Sequence, residues 1–396
     1  MQNPAKRFSI LVLNQISQHG LKRLPAELYE VGKDAPRPDA ILVRSADMHA
    51  MEIPASVQAI GRAGAGTNNI PVKTLSARGA PVFNAPGANA NAVKELVLAG
   101  MLLAARNLPA ALRFVDGLDP LAQDMDKQVE DGKKAFAGFE LAGHTLGVIG
   151  LGKIGCLVAD AAIRLGMNVV GYDPEITVDA AWSLPSQVRR ANSVAEILKA
   201  SHFVSLHVPL VPATRHLVNT ETLEHARHGA VLLNFSREGV VDEAAAVAAL
   251  DAGKLRNYVC DFPGGAINGH PHVIALPHLG ASTREAEENC AIMVADQVRD
   301  YLENGNVRNA VNFPDAVAAR ESNFRVAIAN SNVPNMLGQI STAMAQAGLN
   351  IHNMLNKSRG EMAYTLVDVD SAVPDSVIEA IRAIPGVLAV RYLPTA

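Results

Sequence analysis

The sequence has few cysteines and few aromatic residues, and it has no long hydrophobic run. Its 396 residues include three cysteines, one tryptophan and 4% aromatic residues. Three scattered cysteines do not build a disulfide framework, and they are typical of a reducing compartment. No apolar stretch approaches the roughly 20 residues that cross a bilayer, and the N-terminus lacks a signal-peptide pattern. We therefore expect a cytoplasmic protein with no membrane partner.

Charge and composition narrow the class further. The formal net charge of −4 argues against a nucleic-acid partner, which would require a basic face. No metal site is expected. The 49% hydrophobic content fills cores mainly with aliphatic side chains, as in α/β proteins whose helices cover parallel strands. The length favours two or three domains.

The most informative stretch is residues 145–174, TLGVIGLGKIGCLVADAAIRLGMNVVGYDP. A short apolar strand leads into a G-x-G-x-x-G turn, an Ala-rich helix and a second strand. Gly150 permits the tight turn, Gly152 lets the backbone approach a pyrophosphate, and Gly155 lets the helix pack close to the strand. The N-terminus of the helix then binds the phosphates. This unit predicts dinucleotide binding.

The acidic residue at the end of the second strand indicates which dinucleotide is bound. Asp173 follows the glycines by about twenty residues, where a carboxylate accepts hydrogen bonds from the adenosine ribose. A carboxylate there would repel the 2′-phosphate of NADP, and Pro174 and Glu175 follow where an arginine would be needed. The cofactor is therefore expected to be NAD. The alternative is that Asp173 is only a turn or helix-capping residue.

Strand and helix patterns alternate along most of the chain. The pattern over residues 91–106 predicts a long apolar helix, and residues 116–140 are charged and are expected to form an irregular loop. Residues 324–396 follow the order β-α-β-β-α-β. We predict an α/β protein with two doubly wound parallel-sheet (Rossmann-like) domains and a C-terminal ferredoxin-like α+β domain.

Polar residues follow three successive predicted strands after the dinucleotide unit. Arg237 lies in LLNFSREGVVDE, Asp261 in YVCDFP and His278 in IALPHLGAST. Because ligands bind outside the carboxyl ends of parallel strands, these side chains are expected to converge. Histidine suits the removal of a hydroxyl proton during hydride transfer, and arginine suits a substrate carboxylate. The alternatives are a surface cation for Arg237 and a helix-flanking residue for His278.

These motifs, together with VRSA and GRAGAGTNNI near the N-terminus, resemble the D-2-hydroxyacid dehydrogenases over nearly the whole chain. The match is specifically to the branch that oxidises 3-phosphoglycerate with NAD, opens L-serine biosynthesis and carries a C-terminal ACT domain. The resemblance implies that Arg237 binds the substrate and that His278 is the acid/base. It also implies NAD contacts at Lys153, Ile154, Asp173, Phe235, Ser236, Asp261 and Gly280.

The resemblance further implies a discontinuous substrate-binding domain, residues 1–90 with 285–315, an NAD-binding domain at 91–284 and an ACT domain at 322–396. Arg44 and Arg62 both lie just past predicted strands of the first domain, where two arginines would suit a phosphate. Ser45 and Asn89 complete the predicted substrate set. The alternative is that both arginines are ordinary surface residues.

The chain departs from the family at one position. The family has a glutamate five residues after the strand-end aspartate, and it hydrogen-bonds the catalytic histidine; here that position is Ala266. Without a carboxylate, His278 is expected to be a weaker base. Two alternatives therefore remain open: a dehydrogenase of another D-2-hydroxy acid, or a weakened NAD-binding regulator.

The C-terminal domain carries asparagines at its first strand-helix junction. In regulated members of the family an amino acid binds between paired ACT domains, and the matching positions are Asn330, Asn332 and Asn350. The hypothesis is that L-serine is a feedback effector, with a ligand-free dimer interface as the alternative. Paired ACT sheets and the apolar helix at 91–106 both favour a homo-oligomer.

Overall fold

The structure is a computed structural model that describes residues 7–395. The strands are β1 (Phe8–Val12), β2 (Tyr29–Gly32), β3 (Ala40–Val43), β4 (Ala59–Arg62), β5 (Val82–Phe83), β6 (Thr145–Ile149), β7 (Asn168–Tyr172), β8 (Arg189–Arg190), β9 (Phe203–Leu206), β10 (Ala230–Asn234), β11 (Leu255–Cys260), β12 (Val273–Ala275), β13 (Phe324–Ser331), β14 (Ile351–Arg359), β15 (Met362–Val369) and β16 (Val387–Pro394). The helices are α1 (Gln18–Leu21), α2 (Val72–Ala77), α3 (Ala90–Ala105), α4 (Leu108–Asp116), α5 (Met125–Gly132), α6 (Lys153–Arg164), α7 (Val178–Ser183), α8 (Val194–Ala200), α9 (Thr220–Glu224), α10 (Glu243–Asp251), α11 (Arg284–Asn304), α12 (Met336–Gln346) and α13 (Asp375–Arg382).

The chain divides into two compact units, Met1–Asn89 with Thr283–Ala396, and Ala90–Ser282. The first unit contains a parallel sheet in the order β2-β1-β3-β4-β5. Its central strands are buried, as expected for short apolar runs covered on both faces. Helix α11 packs against β4, and its buried side chains belong to the core of this sheet.

The second unit contains a parallel sheet in the order β12-β11-β10-β9-β6-β7-β8. Strand β6 pairs with both β7 and β9, so the strand order reverses there. This reversal point is where doubly wound sheets bind dinucleotides. Helix α3 buries Val93, Val97 and Met101 in the core of this unit, which accounts for much of its apolar sequence.

The C-terminal sheet is antiparallel, in the order β14-β15-β13-β16. Helices α12 and α13 contribute Ile340, Met344 and Ile381 to the core on one face. Ala327 and Tyr364 belong to the same core as the five-stranded sheet. The C-terminal domain is thus packed into the first unit rather than appended to it.

The predicted fold class is confirmed by the two parallel sheets and the β-α-β-β-α-β C-terminal domain. The irregular loop predicted over residues 116–140 is wrong, because α5 and a 3₁₀ turn at Lys133–Phe136 lie there. Helix α5 buries none of its residues and has only two apolar side chains, Met125 and Val129, one turn apart, which is too short a pattern to predict a helix. The functions assigned to the three predicted domains stay predictions.

In residues 7–395 no single helix is long and apolar enough to cross a membrane. Helices α3 and α4 reach that length and apolar content only when they are taken together, and they are bent by 68° relative to each other.

Candidate active site

The glycine turn after β6 has the geometry that a pyrophosphate requires. Gly150 has a φ of 91°, which disfavours any residue with a side chain. A Cβ on Gly155 would lie 2.0 Å from the carbonyl oxygen of Gly150, whereas a Cβ on Gly152 would meet nothing within 4 Å. No side chain caps the N-terminus of α6. Open space therefore faces unpaired N–H groups at a helix N-terminus, and this fits a dinucleotide phosphate.

Asp173 lies half-buried just after β7 and supports the same turn. Its carboxylate accepts hydrogen bonds from the Leu151 N–H at 2.8 Å and the Glu175 N–H at 2.9 Å. A carboxylate has about four lone-pair sites, so these two bonds leave acceptors for ribose hydroxyls. Asp173 therefore does stabilise the turn, which was the alternative to ribose binding, and the same carboxylate can serve both purposes.

Arg237 is exposed three residues after the end of β10, and its backbone is held by a residue that the sequence analysis did not identify. Asn234 is fully buried; its amide donates to the Arg237 carbonyl at 2.9 Å and accepts from the Ser236 hydroxyl at 2.9 Å. The Arg237 guanidinium donates to the Ser236 carbonyl at 2.6 Å. The sequence signal that could have identified Asn234 is its position as the polar residue at the end of the apolar run AVLLN.

His278 is exposed, and its φ of 53° places it in the left-handed region, which costs energy for a residue with a Cβ. Asp261, 1% exposed, maintains this conformation. Its carboxylate accepts from the N–H groups of Leu279 and Gly280, both at 2.7 Å, and its carbonyl accepts from the His278 N–H at 3.0 Å. The imidazole is therefore positioned by a buried acid that does not touch it.

The loop after β11 supplies no acid to His278. Among residues 7–395 the imidazole has no hydrogen-bond or ion-pair partner, and its nearest aromatic contact is the Phe262 ring at 4.9 Å between centroids. Glu243 reaches the same loop, because a Cβ on Gly264 would lie 2.3 Å from its Oε2. Burial, and then the charge of Glu238, raise the pKa of Glu243. The departure at Ala266 thus leaves His278 without the carboxylate that the family provides.

The remaining positions in the predicted NAD set differ in what they offer. Lys153 and Ile154 begin α6, and the Gly280 N–H is already bonded to Asp261. Phe235 is 5% exposed and packs in the core of the second unit, so it can offer a ligand only its backbone. Ser236 is also buried and bonds Asn234.

In the first unit, Arg44 and Arg62 lie side by side. Arg62 is the register partner of Val43, and its Nε donates to the Arg44 carbonyl at 3.1 Å. The Arg44 guanidinium pairs with Glu287 at 2.5 Å, a contact across 243 residues that no local pattern predicts. Ser45 is exposed, and the buried Asn89 Oδ1 has no partner among the described residues.

The three asparagines of the predicted effector site are not brought together within one chain. Asn330 pairs with Ala363 near one end of the C-terminal sheet, and Asn332 follows at that end. Asn350 directly precedes Ile351, which pairs with Val369 at the opposite end. Asn330 is buried and donates to the Ser331 carbonyl, and Asn332 donates to the Gly360 carbonyl. A site using all three would need two copies of the chain.

Comparisons with known proteins identify the relatives of this chain. Residues 101–280 match the model of the D-isomer specific 2-hydroxyacid dehydrogenase NAD-binding domain. The chain is 36% identical over 326 residues to D-3-phosphoglycerate dehydrogenase of Methanocaldococcus jannaschii, covering 79% of this chain and 59% of that protein. It is 32% identical over 351 residues to the enzyme of the same name from Escherichia coli K12, covering 85% and 81%.

Solved structures show the same fold. The TT0316 protein of Thermus thermophilus matches with a TM-score of 0.62 and 27% identity, over 77% of this chain and all of that one. NAD⁺-bound 3-phosphoglycerate dehydrogenase of Entamoeba histolytica matches with a TM-score of 0.59 and 24% identity, over 77% and 98%.

Proposed function

The chain belongs to the family of D-isomer-specific 2-hydroxyacid dehydrogenases, and from this premise we propose that it oxidises 3-phospho-D-glycerate to 3-phosphohydroxypyruvate. It is an NAD-dependent oxidoreductase. The observation that carries the proposal is the carboxyl edge of the second unit's sheet. Arg237 and His278 are both exposed there, and the buried Asn234 and Asp261 fix the backbone at each.

NAD supplies the hydride acceptor when it is bound. The glycine turn and the uncapped N-terminus of α6 would hold its pyrophosphate, and Asp173 would hold the adenosine ribose. The negative charge of Asp173 disfavours the 2′-phosphate of NADP.

Two side chains act on the substrate. The planar guanidinium of Arg237 binds and orients the α-carboxylate. His278 takes the proton of the C2 hydroxyl as hydride leaves C2. Because no carboxylate stabilises the imidazolium that forms, this step is slower than in a site with a histidine–glutamate pair.

Turnover with matched histidine variants tests the reaction. We expect NADH formation from 3-phosphoglycerate at alkaline pH, and NADH consumption with 3-phosphohydroxypyruvate. His278→Ala should lower turnover about 10²- to 10⁴-fold, the usual contribution of a general base. His272→Ala removes an exposed histidine upstream of β12 and should leave turnover unchanged. Equal turnover in both variants would remove His278 from the mechanism.

We propose that Arg44 and Arg62 bind the substrate phosphate, because charge-assisted hydrogen bonds from paired arginines suit that group. The double variant Arg44→Gln/Arg62→Gln should raise KM for 3-phosphoglycerate about tenfold or more and should hardly change KM for D-glycerate. Arg37→Gln, at an exposed arginine of the same unit, is the control. An unchanged KM for 3-phosphoglycerate would favour another D-2-hydroxy acid as substrate. The regulator alternative is not favoured, since the relatives named above are dehydrogenases.

We also propose a homo-oligomer in which L-serine binds between paired C-terminal domains. The exposed apolar side chains of Leu112 and Leu121, 62% and 87% exposed, support a partner for the second unit. The opposite-end positions of Asn332 and Asn350 support an effector site built from two copies. Serine titration should raise the melting temperature and lower activity, and no change in either would contradict the effector role.

A further inference from the structure

A cavity of about 700 Å³ in the first unit has no role in the proposed reaction. One wall is a face of α11 whose residues Asn289, Met293, Asp296 and Asp300 recur at helical spacing. The loop after α11 forms another wall, which includes Arg308. The volume lies within the roughly 300–1,000 Å³ of typical small-molecule sites.

The cavity wall contains a buried amide without a partner. Gln297 is 6% exposed, and neither its Oε1 nor its Nε2 has a hydrogen-bond partner in residues 7–395. A buried unsatisfied amide costs stability, so such groups in folded proteins are usually satisfied by water or a ligand. Gln297 lines the cavity and offers it one acceptor and one donor group.

Charges of both signs line the same space. Arg308 is exposed and has no hydrogen bond or ion pair within the described part of the chain. Asp296 and Asp300 lie one helical turn apart. Asp296 pairs with Arg23 at 2.7 Å, and Asp300 accepts from Asn304 at 2.9 Å and, at both of its oxygens, from Asn306 at 3.1 Å. A carboxylate has about four acceptor sites, so each of the two retains at least one for an ammonium group.

Apolar surface lies between these polar groups. Ile292 and Met293 are half-buried and line the cavity. A ligand that satisfied the whole lining would carry an anionic group for Arg308, an ammonium for the two aspartates and a small apolar portion.

We propose that this cavity binds a small zwitterion of the α-amino-acid class. Its carboxylate pairs with Arg308, its ammonium with Asp300 and Asp296, and Gln297 hydrogen-bonds the polar atoms between them. The proposal does not depend on the dehydrogenase activity or on the C-terminal asparagines.

Calorimetric titration of the full chain tests the site. The probes are L-leucine, L-methionine and L-serine, each to about 10 mM, with isoamylamine and 4-methylpentanoate as the two halves of leucine. At least one amino acid should bind, and neither half-molecule should bind comparably. Failure of all three amino acids, or equal binding of a half-molecule, would overturn the proposal.

Matched variants locate the binding. Arg308→Gln and Gln297→Leu should each weaken it, the former about tenfold or more. Arg382→Gln, at an exposed arginine of α13, should not. Gln297→Leu should also raise the melting temperature of the ligand-free protein, because it removes an unpaired buried amide. Binding that survives both cavity variants but is lost in Asn332→Ala belongs to the C-terminal domain and would contradict this assignment.

Discussion

Each compact unit has a basic side chain that points into its interior, and the two side chains differ in whether they keep their charge. His207 follows β9 next to the glycine turn, and its Nε2 lies 2.9 Å from the Ser205 hydroxyl. Burial lowers the pKa of His207 to about 4, so the ring is neutral at pH 7. Arg325 on β13 is 0% exposed and keeps its charge, with bonds of 2.6 and 2.7 Å to Asp368.

The difference follows from the chemistry of the two side chains. A histidine loses its proton at little cost near neutral pH, whereas an arginine does not deprotonate in proteins. The buried guanidinium therefore requires a carboxylate and further acceptors, and it finds them in the carbonyls of Asn304, Ala318 and Ala319. Neutral His207 has one hydroxyl partner at Nε2, and its buried Nδ1 has none among the described residues. Burial is thus tolerated by the histidine through loss of its charge, and by the arginine through its partners.

Removal of the carboxylate should have the largest effect. Asp368→Asn leaves Arg325 buried without a full counter-charge and should lower the free energy of unfolding by about 3 kcal/mol or more. The exposed pair of Glu379 and Arg382 gives the matched control, and Glu379→Gln should cost less than about 1 kcal/mol. Denaturant unfolding measures both. Similar losses of unfolding free energy in the two variants would mean that burial does not make an ion pair more important for stability.

The pH dependence of stability should separate the two residues. The unfolded state binds a proton at His207 below its ordinary pKa of 6.5, whereas the folded state does so only below about 4. The stability that the neutral ring contributes is therefore fully present above pH 6.5 and falls by about 3 kcal/mol as the pH drops to 4.

Asp368 behaves differently on acidification. Burial alone would raise its pKa, but hydrogen bonds from Arg325 and from the Glu321 N–H outweigh burial and lower it. The stability that Asp368 contributes is thus lost only below its ordinary value of 3.8. Urea unfolding of the wild type and His207→Gln between pH 7 and 4 isolates the histidine. A variant with the wild-type slope would contradict a neutral His207.

The smallest expected effect concerns the glycine turn beside His207. Gly155→Ala places a Cβ 2.0 Å from the Gly150 carbonyl oxygen and should cost about 1–3 kcal/mol of stability. Gly152→Ala meets no atom within 4 Å, so it should change stability by less than about 0.5 kcal/mol and weaken NAD binding instead. Melting temperatures with and without NAD distinguish the two results. If Gly152→Ala bound NAD normally, this result would contradict a close approach of the pyrophosphate to the backbone at Gly152.

The sequence by itself determined the strand and helix order of the dinucleotide unit and of the C-terminal domain, the glycine turn, and the positions of Arg237, Asp261 and His278 after their strands. These features depend on periodicity and on backbone conformation within a few residues, which local sequence encodes. Helices α4 and α5 were not predicted. Asn107, with a φ of 51°, lies between α3 and α4. Pro109 lies in the first turn of α4, where proline is tolerated. A proline that suggests the end of one helix therefore lies at the start of the next.

Only the tertiary structure decided which polar groups meet. In the tertiary structure the Asp261 carboxylate accepts hydrogen bonds from the Leu279 and Gly280 N–H groups, and Arg44 pairs with Glu287. Asn350 lies at the opposite end of the C-terminal sheet from Asn332. Arg391 bonds the carbonyls at the end of α11. These contacts join residues tens to hundreds of positions apart, so they depend on strand register and helix packing, which no local pattern specifies.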